Sequence, residues 1–313
     1  DVEEAASINT NWQDYIFQHA YTPELVLSAA GGNEKTKYFT SGEYFSQEGA
    51  IIGSKFTRGS FRLNLDQQVN DRLSFSTQMT ASRSLARRSN AESILESALG
   101  MPPINSPYDE NGGYTPGDVL LGYPFSDSRG DNPLITANEV TNNLTNFRLL
   151  GNLRARYKVW DDMAIELMAG TDQLNGRQDR YDTRLVRGNA DGSASERRTE
   201  TGSYIIENLY QYNKSLASNR HQVNATLGFT WESQSGRFLA ASAQGFVTDD
   251  FGNNNLGAGS RFDAPENDVV EWDLLSFLGR VNYTFNEKYL FTVSGRRDGS
   301  SRLGGGNKGG FFL

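Results

Sequence analysis

The stretch "FRLLGNLRARYKVWDDMAIELMA", residues 147–169, decides the fold. Phe147, Leu149, Leu153, Ala155, Tyr157 and Val159 alternate with Arg148, Asn152, Arg154, Arg156 and Lys158. The period is two, which is the signature of a β-strand with chemically different faces. Asp161-Asp162 then reads as a tight turn, and Met163 to Ala169 returns with the same alternation. Arg148, Arg154, Arg156 and Lys158 cannot enter a dry core without partners. One face of this hairpin therefore meets water and the other meets an apolar medium.

The pattern recurs along the chain. Residues 61–69 and 73–79 alternate around an Asn70-Asp71 turn, and 277–285 and 289–295 around Asn286-Glu287. A further pair spans 204–212 and 223–231, joined near Ser218-Asn219, and two earlier strands fit 25–31 and 36–45. About ten strands result, many of them 9 to 14 residues long. Strands of soluble proteins average about five or six residues, whereas a tilted strand crossing a bilayer needs about 9–11. Short Asn/Asp turns alternate with long connections at 85–143, 177–201 and 234–273. Short turns on one side and long loops on the other describe an outer-membrane barrel. A soluble antiparallel sheet gives the same alternation, but a connection of nearly sixty residues is foreign to it. The fold expected is all-β, an antiparallel transmembrane β-barrel fragment with long extracellular loops.

Composition agrees. Of 313 residues, 37% are hydrophobic, 32 are Gly and only 8 are Pro. The 18 Phe, 14 Tyr and 4 Trp argue against disorder. The net charge of -8 lacks any basic patch, so nucleic acid is not an expected partner. The absence of cysteine removes disulfides and thiolate metal sites.

No catalytic constellation stands out, and neither an enzyme activity, a cofactor nor a metal site is expected. His19 and His221 lie far apart in sequence, and Ser300-Ser301 lack the context of a nucleophile elbow. Asp161-Asp162 and Asp249-Asp250 read as solvated turn residues. "DENGG", residues 109–113, lacks the ligand spacing of an EF-hand and reads as a polar turn, as does "NADGS", residues 189–193.

Several stretches resemble the SusC/RagA-like branch of TonB-dependent outer-membrane transporters. They are "TNWQDYIF" (10–17), "LSAAGGNEKTKYFTSGEYFSQEGAI" (27–51), "FTRGSFRLNLD" (56–66), "MPPINSPYDENGGY" (101–114), "NPL" (132–134) and "LLSFLGRVNYTFNEKYLFTVSGRRDGSSRLG" (274–304). The last is the most specific. Departures are Thr22-Pro23-Glu24-Leu25-Val26, where the family carries a histidine and an asparagine, and Leu303, where it carries an aromatic. The resemblance implies that residues 1–313 are a partial barrel domain, without the plug domain, the TonB-contacting segment or the C-terminal barrel strands. It implies import of glycans or peptides across a Gram-negative outer membrane, together with a SusD-like surface lipoprotein and TonB. A passive porin-like or structural barrel is the alternative. Ligand contacts are expected from loop aromatics, which offer rigid apolar faces to sugar rings: Tyr108, Tyr114, Tyr123, Phe125, Phe251 and Trp272. Trp12, Trp160 and Trp231, near strand ends, are expected at the lipid interface, with outer-membrane lipid around the apolar faces.

Overall fold

The computed structural model describes residues 8–116, 131–186, 191–216, 220–304, 306 and 309–312. The strands form one antiparallel meander: β1 (Glu24–Gly32), β2 (Thr36–Glu48), β3 (Lys55–Gln68), β4 (Leu73–Arg87), β5 (Val140–Trp160), β6 (Met163–Asp182), β7 (Ser193–Leu216), β8 (His221–Gln244), β9 (Arg261–Phe262), β10 (Glu266–Phe285), β11 (Tyr289–Ser300) and β12 (Gly309–Phe312). Each long strand pairs with its predecessor, so eleven strands lie side by side and β1 and β12 form the two edges. The short β9 pairs with β8 in line with β10, at a register one residue out of step. Pro265 lies in the gap and cannot donate to a ladder, which accounts for the break.

Register sorts the side chains onto two faces. Leu73, Phe75, Met79 and Ala81 of β4 lie opposite Tyr157, Ala155, Gly151 and Leu149 of β5. These continue to Ile165 and Leu167 of β6, Tyr210 of β7, then Leu227 of β8. The other face carries Ser74, Ser76 and Gln78 of β4 beside Arg156, Arg154 and Asn152 of β5. Over the part of the strands nearer the short turns, one face is thus apolar and the other polar. The apolar face stays exposed, with Leu153 50%, Leu227 63% and Val293 71% accessible, because no protein packs on it. This is the arrangement of a transmembrane barrel wall, whose apolar side meets lipid.

The strands run further than the alternation indicates. β7 and β8 each have 24 residues, and the connections expected over 177–201 and 234–273 shrink to 183–192 and 245–265. Residues 195–202 of β7, SERRTETG, are polar on both faces. Beyond the lipid band both faces meet water, so alternation disappears while backbone pairing continues. The connection 88–139 is long, as expected, and among its described residues contains two helices, α2 (Ala91–Gly100) and α3 (Pro133–Asn138), after the α1 turn (Trp12–Ile16) near the N-terminus. The chain also completes four residues of β12, paired with β11, before position 313.

Turns on the short side use the chemistry of their residues. Asn70 Oδ1 accepts from the amides of Arg72 and Leu73 at 2.9 Å, closing the β3–β4 turn. Asn286 and Glu287 have φ of 55° and 58°, the paired left-handed conformation of a type I′ hairpin. The Ser218-Asn219 turn lies outside the described residues.

Candidate functional site

The polar face is a wall of matched charges. Arg58 of β3 meets Glu43 of β2 at 2.5 Å, and Ser60 Oγ donates to the same carboxylate at 2.9 Å. Arg148 of β5 forks onto Asp172 of β6 through Nε at 2.8 Å and Nη2 at 2.5 Å. Glu166 of β6 pairs with Arg154 at 3.0 Å and lies 3.7 Å from Arg156. The arginines are about half exposed, so each pair adds only about 0–1 kcal/mol. Their effect is to neutralise a wet wall. Towards the short turns this wall frames a cavity of about 440 Å³, lined by Glu34, Lys35, Lys37, Asp66, Arg154 and Glu166 among others. Among the described residues no group of three or more His, Asp or Glu is placed to hold a metal.

The loop side carries the chain's only two clusters of buried hydrophobic residues among the described residues. In the first, Trp12 and Ile16 of α1 pack on Ile94 and Ala98 of α2, with Met101 and Ala137, and Ile51 and Ile52 of the β2–β3 turn close the edge. Trp12 is 3% exposed and its Nε1 donates to the Pro102 carbonyl at 3.2 Å. It is therefore a loop-core residue and not a lipid-interface residue: its ring is enclosed by helices that the strand pattern does not announce. Gly53 turns there with φ 87°, and a Cβ at this position would stand 2.7 Å from the Ala137 carbonyl oxygen. Asn132, buried at 1%, caps α3 by accepting from the Leu134 amide, while its Nδ2 donates to the carbonyls of Pro107 and Thr115. One side chain thus gathers three points of the longest connection. Trp160 and Trp231 do lie on strands, Trp160 closing β5 and 66% exposed.

Tyr108 and Tyr114 flank a turn within this connection. They face each other across an isolated β-bridge and stack at 5.6 Å with an interplanar angle of 26°. Tyr15 meets Tyr108 edge-on at 6.3 Å. Burial, with Tyr108 and Glu139 nearby, pushes the Tyr114 hydroxyl above the ordinary phenol value. The turn between them is fixed by Asp109, whose Oδ1 accepts from the amides of Asn111 at 2.9 Å and Gly113 at 2.8 Å, which spends this carboxylate on the turn.

The second cluster joins two other connections. Tyr181 and Ala194 pack with Ala243 and Phe246. Asp249 accepts from the Tyr181 hydroxyl at 2.7 Å and from Arg184 Nε at 3.0 Å and its amide at 3.3 Å. Asp249 is therefore no solvated turn residue. Burial alone would raise its pKa, but the hydrogen bonds from Tyr181 and Arg184 outweigh it, and the carboxyl sits below the ordinary value. Asp191 meets Arg261 at 2.8 Å, a second tie between the same loops.

Among the described residues the expected ligand aromatics separate into three places. Tyr108 and Tyr114 are in mutual contact. Phe251 stands 48% exposed on the 245–260 loop beside the Asp249 latch. Trp272 lies on the polar face of β10, half-buried, with the Arg302 guanidinium 4.7 Å from its ring centre. Among the described residues no ring contact joins these three groups. Tyr123 and Phe125 lie outside the described residues. Sequence reasoning missed Asp249, Arg184 and Asn132. Only the spacing of Asn132 before Pro133, an N-cap signal, was visible. His221 opens β8, with its Nδ1 2.7 Å from the Tyr283 hydroxyl and its ring beside Phe285.

No family profile matches the chain. It is 30% identical to TonB-dependent receptor P26 of Formosa agariphila over 97% of its own length and 30% of that protein's. It is 26% identical to TonB-dependent receptor SusC of Bacteroides thetaiotaomicron, over 97% of its length and 31% of that protein's. Among solved structures it superposes on the RagAB peptide transporter with a TM-score of 0.78 and 25% identity, covering 97% of this chain and 34% of that one. The chain thus spans about a third of the length of the relatives it matches.

Proposed function

We propose, on the premise that this chain is a relative of the SusC-like TonB-dependent receptors, that it forms about half the wall of a transporter barrel in a Gram-negative outer membrane. The observation that carries this is the sheet itself: eleven antiparallel strands, apolar on one face and ion-paired on the other. Large plugged transporters have 22 strands. The outer edges of β1 and β12 have no strand partner among the described residues. Unpaired peptide groups facing lipid cost several kcal/mol each, so further strands must close the barrel. The polar face then lines a wet lumen, and the loop side, with its two small cores, faces the exterior. Neither a nucleophile nor a metal cluster is needed, and transport rather than catalysis is the activity.

In this reading a plug elsewhere in the protein occupies the lumen and TonB moves it. A SusD-like surface lipoprotein closes over the loops, and the cargo is a glycan or peptide oligomer. RagAB is named a peptide transporter, which supports the peptide class. The exposed rings of Tyr108 and Phe251, with the half-buried Tyr114 and Trp272, support a glycan, whose sugar faces stack on aromatics. Binding of labelled oligosaccharides and oligopeptides to the intact receptor tests both. One class should bind, and Tyr108→Ala with Tyr114→Ala should weaken it about tenfold, the range for loss of an aromatic anchor. Unchanged affinity would remove these residues from the site. Uptake that persists after the proton gradient is collapsed would mark a passive pore.

A further inference from the structure

The apolar face is not smooth. Two adjacent rows of register partners run across β1 to β5. The first is Leu27, Gly42, Phe61, Ala81 and Leu149, and the second is Leu25, Tyr44, Gly59, Arg83 and Phe147. Gly42, Gly59 and Ala81 meet at the centre, so a dent opens there, rimmed by Leu25, Leu27, Tyr44, Phe61 and Phe147. Nothing stands within 4 Å of where a Cβ on Gly59 would be, so the space above it is open. The dent holds about 470 Å³, and its lining is almost wholly apolar.

Arg83 stands at the loop-side end of the dent. On β4 it falls between Ala81 and Leu85 on the apolar face, so it lies within the apolar run and not past it. Arg58, Arg148, Arg154 and Arg156 on the polar face all have carboxylate partners. Arg83 is exposed and has no partner among the described residues. A guanidinium set in an apolar band needs an anion, and its planar fork suits phosphate oxygens.

We propose that this dent is a binding site for a phosphorylated acyl lipid of the outer leaflet. Its phosphate is held by Arg83 and one acyl chain lies inward across Gly59 and Gly42. The inference rests on the membrane-barrel reading above. Position supports the assignment: β2 runs from the short turn toward the loops, so Gly42 lies deeper than Tyr44, and the charge sits at the loop end where headgroups begin. The groove takes the chain and the cation takes the headgroup.

The intact receptor, purified in detergent, tests this by native mass spectrometry. The probes are bisphosphorylated lipid A and the same lipid after phosphatase treatment. The wild type should retain the phosphorylated lipid at least tenfold more than the dephosphorylated one. Arg83→Gln should abolish that preference, and Arg83→Lys should keep part of it. Gly59→Leu, which fills the dent without a clash at Cβ, should reduce retention of both lipids. Equal retention of the two lipids by the wild type overturns the proposal. So does a preference that survives Arg83→Gln, or a dimer that Gly59→Leu breaks while lipid retention stays unchanged. A receptor that remains folded and monodisperse without detergent overturns the membrane reading instead.

Discussion

Leu227 lies at the midpoint of the apolar run on β8, Val223, Ala225, Leu227, Phe229 and Trp231. At ~3.4 Å per residue and a tilt of ~40°, that run spans about 21 Å along the membrane normal, close to the ~25 Å apolar band of such barrels. Leu227 therefore sits near the bilayer midplane, 63% exposed, between Tyr210 of β7 and Gly279 of β10. Leu227→Arg places a charge there, at an expected cost of about 2–4 kcal/mol, or about 30- to 700-fold in the folding equilibrium. Asn224, three residues away, occupies the polar face between Asn213 and Asn282. Asn224→Arg meets water and should cost about 0–1 kcal/mol, the range for a surface change. Urea titration of the intact receptor in lipid vesicles, followed by far-UV circular dichroism, reads both. Equal costs, or a larger cost at Asn224, would refute the assignment of faces.

Trp12→Ala empties the core of α1 and α2 and should cost about 3–5 kcal/mol locally. Limited proteolysis should then cut within 88–116 faster while the strand signal in circular dichroism stays unchanged. Asp249→Asn removes the Arg184 ion pair that ties two loops and should weaken the latch by about 1–3 kcal/mol, read as faster amide exchange over 245–260. The folded carboxyl of Asp249 lies below its unfolded value, so its stabilisation is full above that unfolded value and is lost as pH falls through the folded one. Exchange protection there should be flat from pH ~8 to ~5 and decline only below the ordinary carboxylate value of ~4. Glu287→Gly relieves a non-glycine residue at φ 58° and should raise the unfolding midpoint, by roughly 1 kcal/mol of stability. A lower midpoint would contradict the type I′ turn.

The hairpins were legible in the sequence because lipid and water on opposite faces enforce alternation, as in Phe147 to Val159. Their extent was not. Over Ser195 to Gly202 both faces are polar, and nothing in a polar run marks continued pairing. The loop cores were hidden for a different reason. Trp12, Ile94 and Ala137 lie in three separate segments and come together only through tertiary packing. Asp249 shows the same limit: a carboxylate in a loop reads as solvated until Tyr181 and Arg184 are seen to converge on it. The aromatics chosen for ligand contact were visible as residues, but their grouping was not, since among the described residues only Tyr108 and Tyr114 share a turn.

The central claim is that one face of this sheet meets lipid and the other meets a watery lumen. The chain contains no cysteine, so single cysteines can be placed along β8 without background from these 313 residues. At positions 223, 225, 227 and 229 a fluorophore should be quenched by brominated lipids. At 224, 226 and 230 it should instead be reached by a water-soluble quencher. Strict alternation between the two quenchers is the predicted result. Access from water at all seven positions would contradict it.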